Sequence, residues 1–373
     1  MSTQEELHCK LITALTDNGS LRTDPWKRAA GQVPRHEFLR GGYFRRLPGT
    51  SPTAWFPVMD DSEDWLPLCY SDESLVTQIA GTIAPRDIQG AILREPSSSS
   101  TLPSLVLRML EELQVEPEDQ VLEIGTGTGY STAVLSARLG DEQVTSVEYD
   151  HEVASRARAA LAAVDMYPTL VTGDGLLGYP DRAPYDRIIA TCAVRTVPAA
   201  WIRQTKVRGT ILVCVGGWLG ASELVRFTVH DNDTASGKFL GGHVSFMLAR
   251  PHAAPPLGML PDLSDGKERR AEIGSDILRD WTARFLVQDM LPNAQLLTLQ
   301  QDDHTENVLI DSITGAWVAL RQDADRWIVR QGGPELMWDA VEHRIGQWRT
   351  NGSPPLEDCA LDLTADGSQT IHW

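Results

Sequence analysis

The stretch VLEIGTGTGYSTAVL, residues 121–135, decides how this chain folds. An apolar run carrying one acid, Glu123, gives way to Gly125, Gly127 and Gly129, and then to an apolar segment of helical spacing. The pattern is strand, tight turn, helix. Glycines at alternate positions let the main chain pass close to a ligand at the carboxyl end of the strand. The spacing GxGxG is neither the dinucleotide GxGxxG nor the phosphate loop GxxxxGK[ST], and no lysine follows to meet a triphosphate.

Two more acids stand where such a ligand needs them. VTSVEYD reads as a second strand and puts Glu148 at its end, before Tyr149. An acid there accepts hydrogen bonds from a ribose diol. TGDG follows a third strand with Asp174 and Gly175, where an acid can accept a bond from an adenine amino group. Glu123, Gly125, Thr126, Gly127, Gly129, Glu148, Tyr149, Asp174 and Gly175 are therefore the candidate binding residues for a nucleoside without a pyrophosphate. A bare glycine turn would explain GxGxG alone, but not the acids in this order.

Working outward, residues 96–250 alternate β-branched runs (DQVLEIG, QVTSVEYD, YDRIIATCAV, GTILVCVG, SELVRFTVHD) with helical ones (GYSTAVLSARLG, HEVASRARAALAAV). That alternation predicts a doubly wound α/β sheet, its last runs antiparallel because short turns join them. Residues 1–95 are expected to form an N-terminal arm or substrate lid: a helix over residues 5–18, with Leu7, Leu11, Ile12 and Leu15 at helical spacing, then a packed Pro- and aromatic-rich segment. Residues 251–270 read as a linker. Residues 271–373 read as a small α+β domain of two helices, three strands and a terminal hairpin at Asp366-Gly367.

The chain has 373 residues, 42% of them apolar, enough for two cored units. Its formal charge is -18, from 33 basic and 51 acidic residues, and residues 251–373 carry 20 acids against 10 bases. Such a surface repels phosphate backbones, so no nucleic-acid partner is expected. No apolar run approaches the ~20 residues of a membrane span, and no signal-peptide core opens the chain, so no membrane partner and a cytoplasmic location are expected. Cys9, Cys69, Cys192, Cys214 and Cys359 form no CxxC pair and no metal-ligand spacing with the nine histidines. They read as packing residues in a reducing compartment, with no metal.

One motif is left over. In REPSSSSTLPSLVLRMLEEL, residues 94–113, four serines and a threonine precede a helix. Ser100 or Thr101 could cap that helix, with Pro103 in its first turn. The hydroxyls could also line a binding edge.

Taken in order, EIGTGTGY, SVEYD, GDGLLGYPDRAPYDRIIATCAV, VP and GTILVCVG resemble the class I S-adenosylmethionine methyltransferases, and the protein-L-isoaspartate O-methyltransferases in particular. VPRHEF (residues 33–38) and CYSDESL (69–75) resemble that family's N-terminal blocks, so the likeness covers residues 5 to about 250. The last 120 or so residues look foreign to the repair enzymes. The resemblance implies a Rossmann-like fold, S-adenosylmethionine and a carboxylate substrate. It matches the family's Thr-Ile-Ser-Gln-Pro block to this chain through Pro103, which puts Thr101 at the serine and Leu102 at the glutamine. It thereby implies that Thr101, with Ser100 and Ser99, meets the reacting carboxylate, beside Ser97, Ser98 and Leu102. It sets Thr191, Cys192, Ala193 and Val194 along the substrate backbone. Arg195 is either a carboxylate donor or an exposed loop residue, and His243 either lines the site or is structural.

A carboxylate is ionised at neutral pH, its ordinary pKa being about 3.9, so methylating it needs no general base. It needs alignment, excluded water and donors for one oxygen. That is why no catalytic triad stands out. The serine block, the insertion TQIAGTIAPRDIQGAILREP and the long C-terminal part resemble methyltransferases encoded beside ATP-grasp ligases in graspetide pathways. There the substrate is an aspartate of a ligase-modified precursor peptide, and its ester closes to an aspartimide. Isoaspartate repair, lanthipeptide tailoring and a non-catalytic peptide-binding role stay open beside it.

Overall fold

A computed structural model describes residues 3–301 and 304–373. The chain folds as two compact units. The first comprises residues up to Thr191, with Pro198–Leu212 and Arg226–Ala235. The second comprises Cys192–Val197, Val213–Val225 and Ser236–Trp373.

The first unit opens with α1 (Gln4–Asp17), where the sequence places a helix. Thr3 accepts from the Glu6 N–H while Glu6 reaches back to the Thr3 N–H, a reciprocal cap that fixes the start. After α2 (Asp24–Gln32) the aromatic-rich segment becomes a sheet. Its strands are β1 (Tyr43–Arg46), β2 (Trp55–Val58), β3 (Leu75–Ile79) and β4 (Pro96–Ser100), with α3 (Trp65–Cys69) between β2 and β3. They lie antiparallel in the order β2-β1-β3-β4. Phe44, Val76 and Ile79 are buried beneath Trp55, Ile83, Ile88 and Ile92, so apolar packing orders this segment despite its prolines.

Next come α4 (Pro103–Glu112), β5 (Val121–Ile124), α5 (Tyr130–Leu139), β6 (Val144–Glu148), α6 (His151–Ala163), β7 (Thr169–Thr172), β8 (Tyr185–Val194) and α7 (Ala199–Gln204). β8, β5, β6 and β7 pair in that order, all parallel, as the doubly wound reading requires. Every residue of β5 and β6 is buried, the mark of a parallel sheet covered on both faces. Asp150 starts α6 by accepting from the Glu152 and Val153 N–H groups at 2.9 and 3.1 Å. The strands β9 (Thr205–Gly216), β10 (Ser222–Val229) and β11 (Ala235–Phe239) each contribute residues to both units.

The second unit holds β12 (Lys267–Ala271), α8 (Trp281–Met290), β13 (Ala294–Gln300), β14 (Thr305–Asp311), β15 (Trp317–Asp323), β16 (Arg326–Gly332), α9 (Met337–Thr350) and the hairpin of β17 (Ala360–Leu363) with β18 (Gln369–His372). Five strands form an antiparallel sheet in the order β12-β16-β15-β14-β13. The sequence shows β14, β15 and β16; β12 and β13 complete the sheet unforeseen. Within residues 250–270, 3-10 turns form at Arg250–His252 and Leu263–Asp265, and β12 begins at Lys267. Leu257 and Leu263 pack against the buried Val308, Ile310, Trp317 and Ala319, which ties this proline-rich stretch down.

Asp289 at the end of α8 gives this unit a pH dependence. Burial pushes its carboxyl up to about 6, against the opposing pull of Arg344. A raised acid stabilises the fold below its unfolded pKa, and that contribution is lost as pH rises through 6. Since the side chain is only half-buried, Asp289→Asn is expected to gain on the order of 2 kcal/mol at pH 8 and nothing at pH 4. Urea unfolding at the two pH values checks this.

Candidate active site

Gly125, Gly127 and Gly129 all adopt positive φ (95°, 56° and 92°), which turns the chain from β5 into α5. The Gly125 N–H donates to the Val147 carbonyl at 2.8 Å, anchoring the loop to β6. Thr191 Oγ1 donates to the Gly125 carbonyl at 2.5 Å, anchoring it to β8. Glu123 lies behind this loop. Its carboxylate accepts from Ser131 and Thr132 of α5 at 2.5 Å each, and from Ser146 of β6 at 2.7 Å. Ser146 Oγ in turn lies 2.6 Å from Thr126 Oγ1. Complete burial pushes the Glu123 carboxyl up, and the three hydroxyls pull the other way. Glu123 thus ties the loop to α5 and β6 through Ser131, Thr132 and Ser146.

Glu148 ends β6 beside the loop. Its carboxylate accepts from the Gly127 N–H at 2.8 Å and the Asp150 N–H at 3.0 Å. Tyr149, next to it, is exposed. Asp174 follows β7 and accepts from the Leu176 N–H at 3.0 Å, bending the chain into a 3-10 turn at Gly175–Leu177. Gly175 fits under Ile124, whose Cγ2 would lie 2.5 Å from any added Cβ, and its carbonyl accepts from Trp201 Nε1. The two acids thus stand at the carboxyl ends of neighbouring parallel strands, where the sequence places them.

The serine block is a strand, β4, not a helix start. Its Ser99 carbonyl lies 3.6 Å from the point where a Cβ on Gly127 would sit, so β4 runs close past the glycine loop. Ser97 Oγ donates to Gln78 and accepts from the Gly81 N–H. Ser98 accepts from Thr77 at 3.3 Å. Ser100 is buried, and its hydroxyl has no hydrogen-bond partner among the described residues. Neither Ser100 nor Thr101 caps α4. Leu102 holds the cap position, and its N–H donates to Ser74 while the Ser104 N–H donates to Asp72 at 2.8 Å. Those loop side chains supply the acceptors a local hydroxyl would have given.

Arg35, within VPRHEF, is the residue the sequence left without a role. Its guanidinium is fully buried and donates to five carbonyls: Cys69, Ser71, Glu73, Ser100 and Thr101, at 2.9–3.3 Å. Burial lowers its pKa, Tyr130 being first among the opposing influences. An arginine in a motif already likened to the family's was the available signal.

Cys192, Ala193, Val194, Arg195 and His243 belong to the second unit. Cys192 is half-buried and in no disulfide, Val194 is buried, and Ala193 is fixed by main-chain bonds to Met247 and Ala249. Arg195, left open between a carboxylate donor and an exposed loop residue, is half-buried and engaged by its neighbours. Its guanidinium holds the Pro292 carbonyl and Asn293 at 2.5 and 2.7 Å and lies 3.8 Å from the centre of the Trp218 ring. His243 is exposed and stacks on Trp281. Among the described residues no group of three or more His, Cys, Asp or Glu side chains could hold a metal, and no helix is long and apolar enough to cross a membrane.

A parallel β8-β5-β6-β7 core, a glycine loop after β5 and acids after β6 and β7 define the Rossmann-like fold of the S-adenosylmethionine-dependent methyltransferases. The model of the protein-L-isoaspartate(D-aspartate) O-methyltransferase family matches residues 81–248. A protein-L-isoaspartate O-methyltransferase from Staphylothermus marinus is 42% identical over 215 residues, 56% of this chain and 78% of that protein. The chain belongs to this family. A relative of the same name from Methylorubrum extorquens is 40% identical over 145 residues, 39% of this chain and 62% of its own length. The chain thus spans less than two thirds of that relative, and 54% of one from Ignicoccus hospitalis. A solved protein-L-isoaspartate O-methyltransferase structure has a TM-score of 0.57 at 23% identity, covering 98% of this chain and 99% of that one. The likeness in fold therefore extends over the C-terminal part as well.

Proposed function

We propose that this protein methylates a carboxylate of an aspartate-derived residue in a peptide, with S-adenosylmethionine as donor. The approach of β4 to Gly127 carries the reading, because it brings a hydroxyl-bearing edge to the loop of a nucleoside site. The residues fit the donor: the loop is bare of side chains at Gly127, and Glu148 and Asp174 are acceptors at the strand ends. Gly125, Gly127, Glu148 and Asp174 would hold S-adenosylmethionine, which supplies a methyl group on a sulfonium sulfur.

The chain's own part is positioning. The substrate carboxylate arrives ionised and needs no base from the protein. Ser97 and Ser98 are tied into the sheet, which leaves Ser99, Ser100 and Thr101 to orient the carboxylate. The buried, unpartnered Ser100 hydroxyl suits a donor whose acceptor comes with the ligand. Reaction of an anion with a sulfonium loses charge, so exclusion of water from the site favours it.

The finer reading is an ordinary aspartate of a ribosomal precursor peptide already modified by an ATP-grasp ligase. It is supported by the serine strand and by Leu102 where the family has glutamine. Residues 271–373 would then recognise the peptide. Isoaspartate repair is the second reading, favoured by the relatives' name and by the full-length fold match. Incubation with S-adenosylmethionine and either a ligase-modified precursor or an isoaspartyl peptide separates them by mass. Net loss of one water from the precursor, through ester formation and methanol loss, is expected. Gain of one methylene on the isoaspartyl peptide alone overturns the finer reading. Absence of S-adenosylmethionine binding overturns the enzyme and favours a peptide-binding protein.

A further inference from the structure

We propose that a second cavity of the first unit binds an acidic segment of the peptide substrate, away from the residue that reacts. This rests on the peptide-methylation reading above. The cavity has a volume of about 370 Å3, within the ordinary size of a ligand site. Neither Glu148 nor Asp174 lines it, so it is not the nucleoside site, although it reaches Gly127 and Thr128 of the glycine loop.

One wall is a face of α6. Val153, Arg156, Ala160 and Ala163 recur at helical spacing, and the small alanines make the hollow. The other walls come from residues 37–42 and 84–86. Three arginines, Arg40, Arg86 and Arg156, line the cavity against one acid, Glu37. Asp60 and Asp87 hold the Gly41 and Ala84 N–H groups beside the cavity, so the positive charge it offers an anion is that of Arg156 with the loosely paired Arg86.

The three arginines are not equivalent. Arg40 grips Glu37 with two bonds, at 2.9 and 3.1 Å, and its guanidinium lies 5.5 Å from the centre of the Trp65 ring. Its charge is already matched. Arg86 is loosely placed, 4.0 Å from Asp87 with a side chain 72% exposed. A pair of that kind is worth little and exchanges readily for a ligand carboxylate. Arg156 stands on the exposed face of α6. The carboxylates of an acidic segment would therefore fall to Arg86 and Arg156, with the aliphatic parts on the alanine wall. Contact with Thr128 would tie this recognition to the loop that holds the donor.

The test measures fluorescence anisotropy of a dye-labelled tetra-glutamate peptide on the full chain, with tetra-glutamine as control. The acidic peptide is expected to bind and the neutral one not. The double variant Arg86→Glu with Arg156→Glu should weaken the acidic peptide by about tenfold or more, two exposed pairs being reversed in sign. The same variant should bind S-adenosylmethionine as the wild type does, which controls for folding. Equal binding of the two peptides, or unchanged binding by the double variant, overturns the proposal. Failure of the methyl-transfer reading would show separately, as no S-adenosylmethionine binding by the wild-type chain.

Discussion

Arg35→Met is expected to destabilise the first unit by about 4 kcal/mol. Five bonds from a charged donor at about 2 kcal/mol each would sum to about 10, but burying the cation takes back several. What remains is the loss of donors for the carbonyls of residues 69–73 and 100–101, which methionine cannot replace. For a unit of this size that corresponds to a fall of about 10 °C in Tm. Arg35→Lys keeps the charge but not the planar fork, and should recover only part. Because the same guanidinium fixes the end of β4, Arg35→Lys should also raise KM for the peptide more than it lowers Tm would suggest. Thermal melts of both variants, with KM for the lysine variant, decide it. An Arg35→Met protein as stable as wild type would show that the carbonyls find other donors.

Glu148→Ala is expected to lower S-adenosylmethionine affinity by about a hundredfold, the equivalent of two hydrogen bonds to a charged acceptor. It removes the acceptor for the Gly127 and Asp150 N–H groups as well as for the ligand, so the loop also loosens. Glu148→Gln should fall almost as far. An amide offers an oxygen to one N–H and turns its NH2 toward the other, donor against donor. Calorimetry on both variants tests this, and unchanged affinity in the alanine variant would remove Glu148 from the site.

How much of this could be read from the sequence follows from how local each cause is. Strand, glycine turn and helix at 121–135 are set by neighbours in the chain, and the structure has them where the pattern puts them. The direction of Glu123 was not legible. β5 is buried on both faces, so strand alternation gave no clue that its acid turns to α5 and β6. The cap of α4 was hidden for another reason: its acceptors, Asp72 and Ser74, stand about thirty residues back and arrive only by folding. β12 was missed because KERRA has no apolar alternation. Ladder bonds to β16 and ion pairs of Arg269 with Asp339 and Glu342 hold it. The surroundings of Arg195 were hidden for the same reason as the α4 cap: Trp218, Pro292 and Asn293, which engage it, are remote in sequence.

β4 is the last strand of its sheet, paired to β3 on one side only. An edge of that kind invites a second copy of the chain to add a strand and begin aggregation. Here the edge is five residues long, starts with a proline that has no N–H to offer, and continues in serines, which are poor strand formers. The composition that gives the site its hydroxyls therefore also keeps the edge from templating its own kind. Replacing these serines with valine would exchange a polar border for a sticky one.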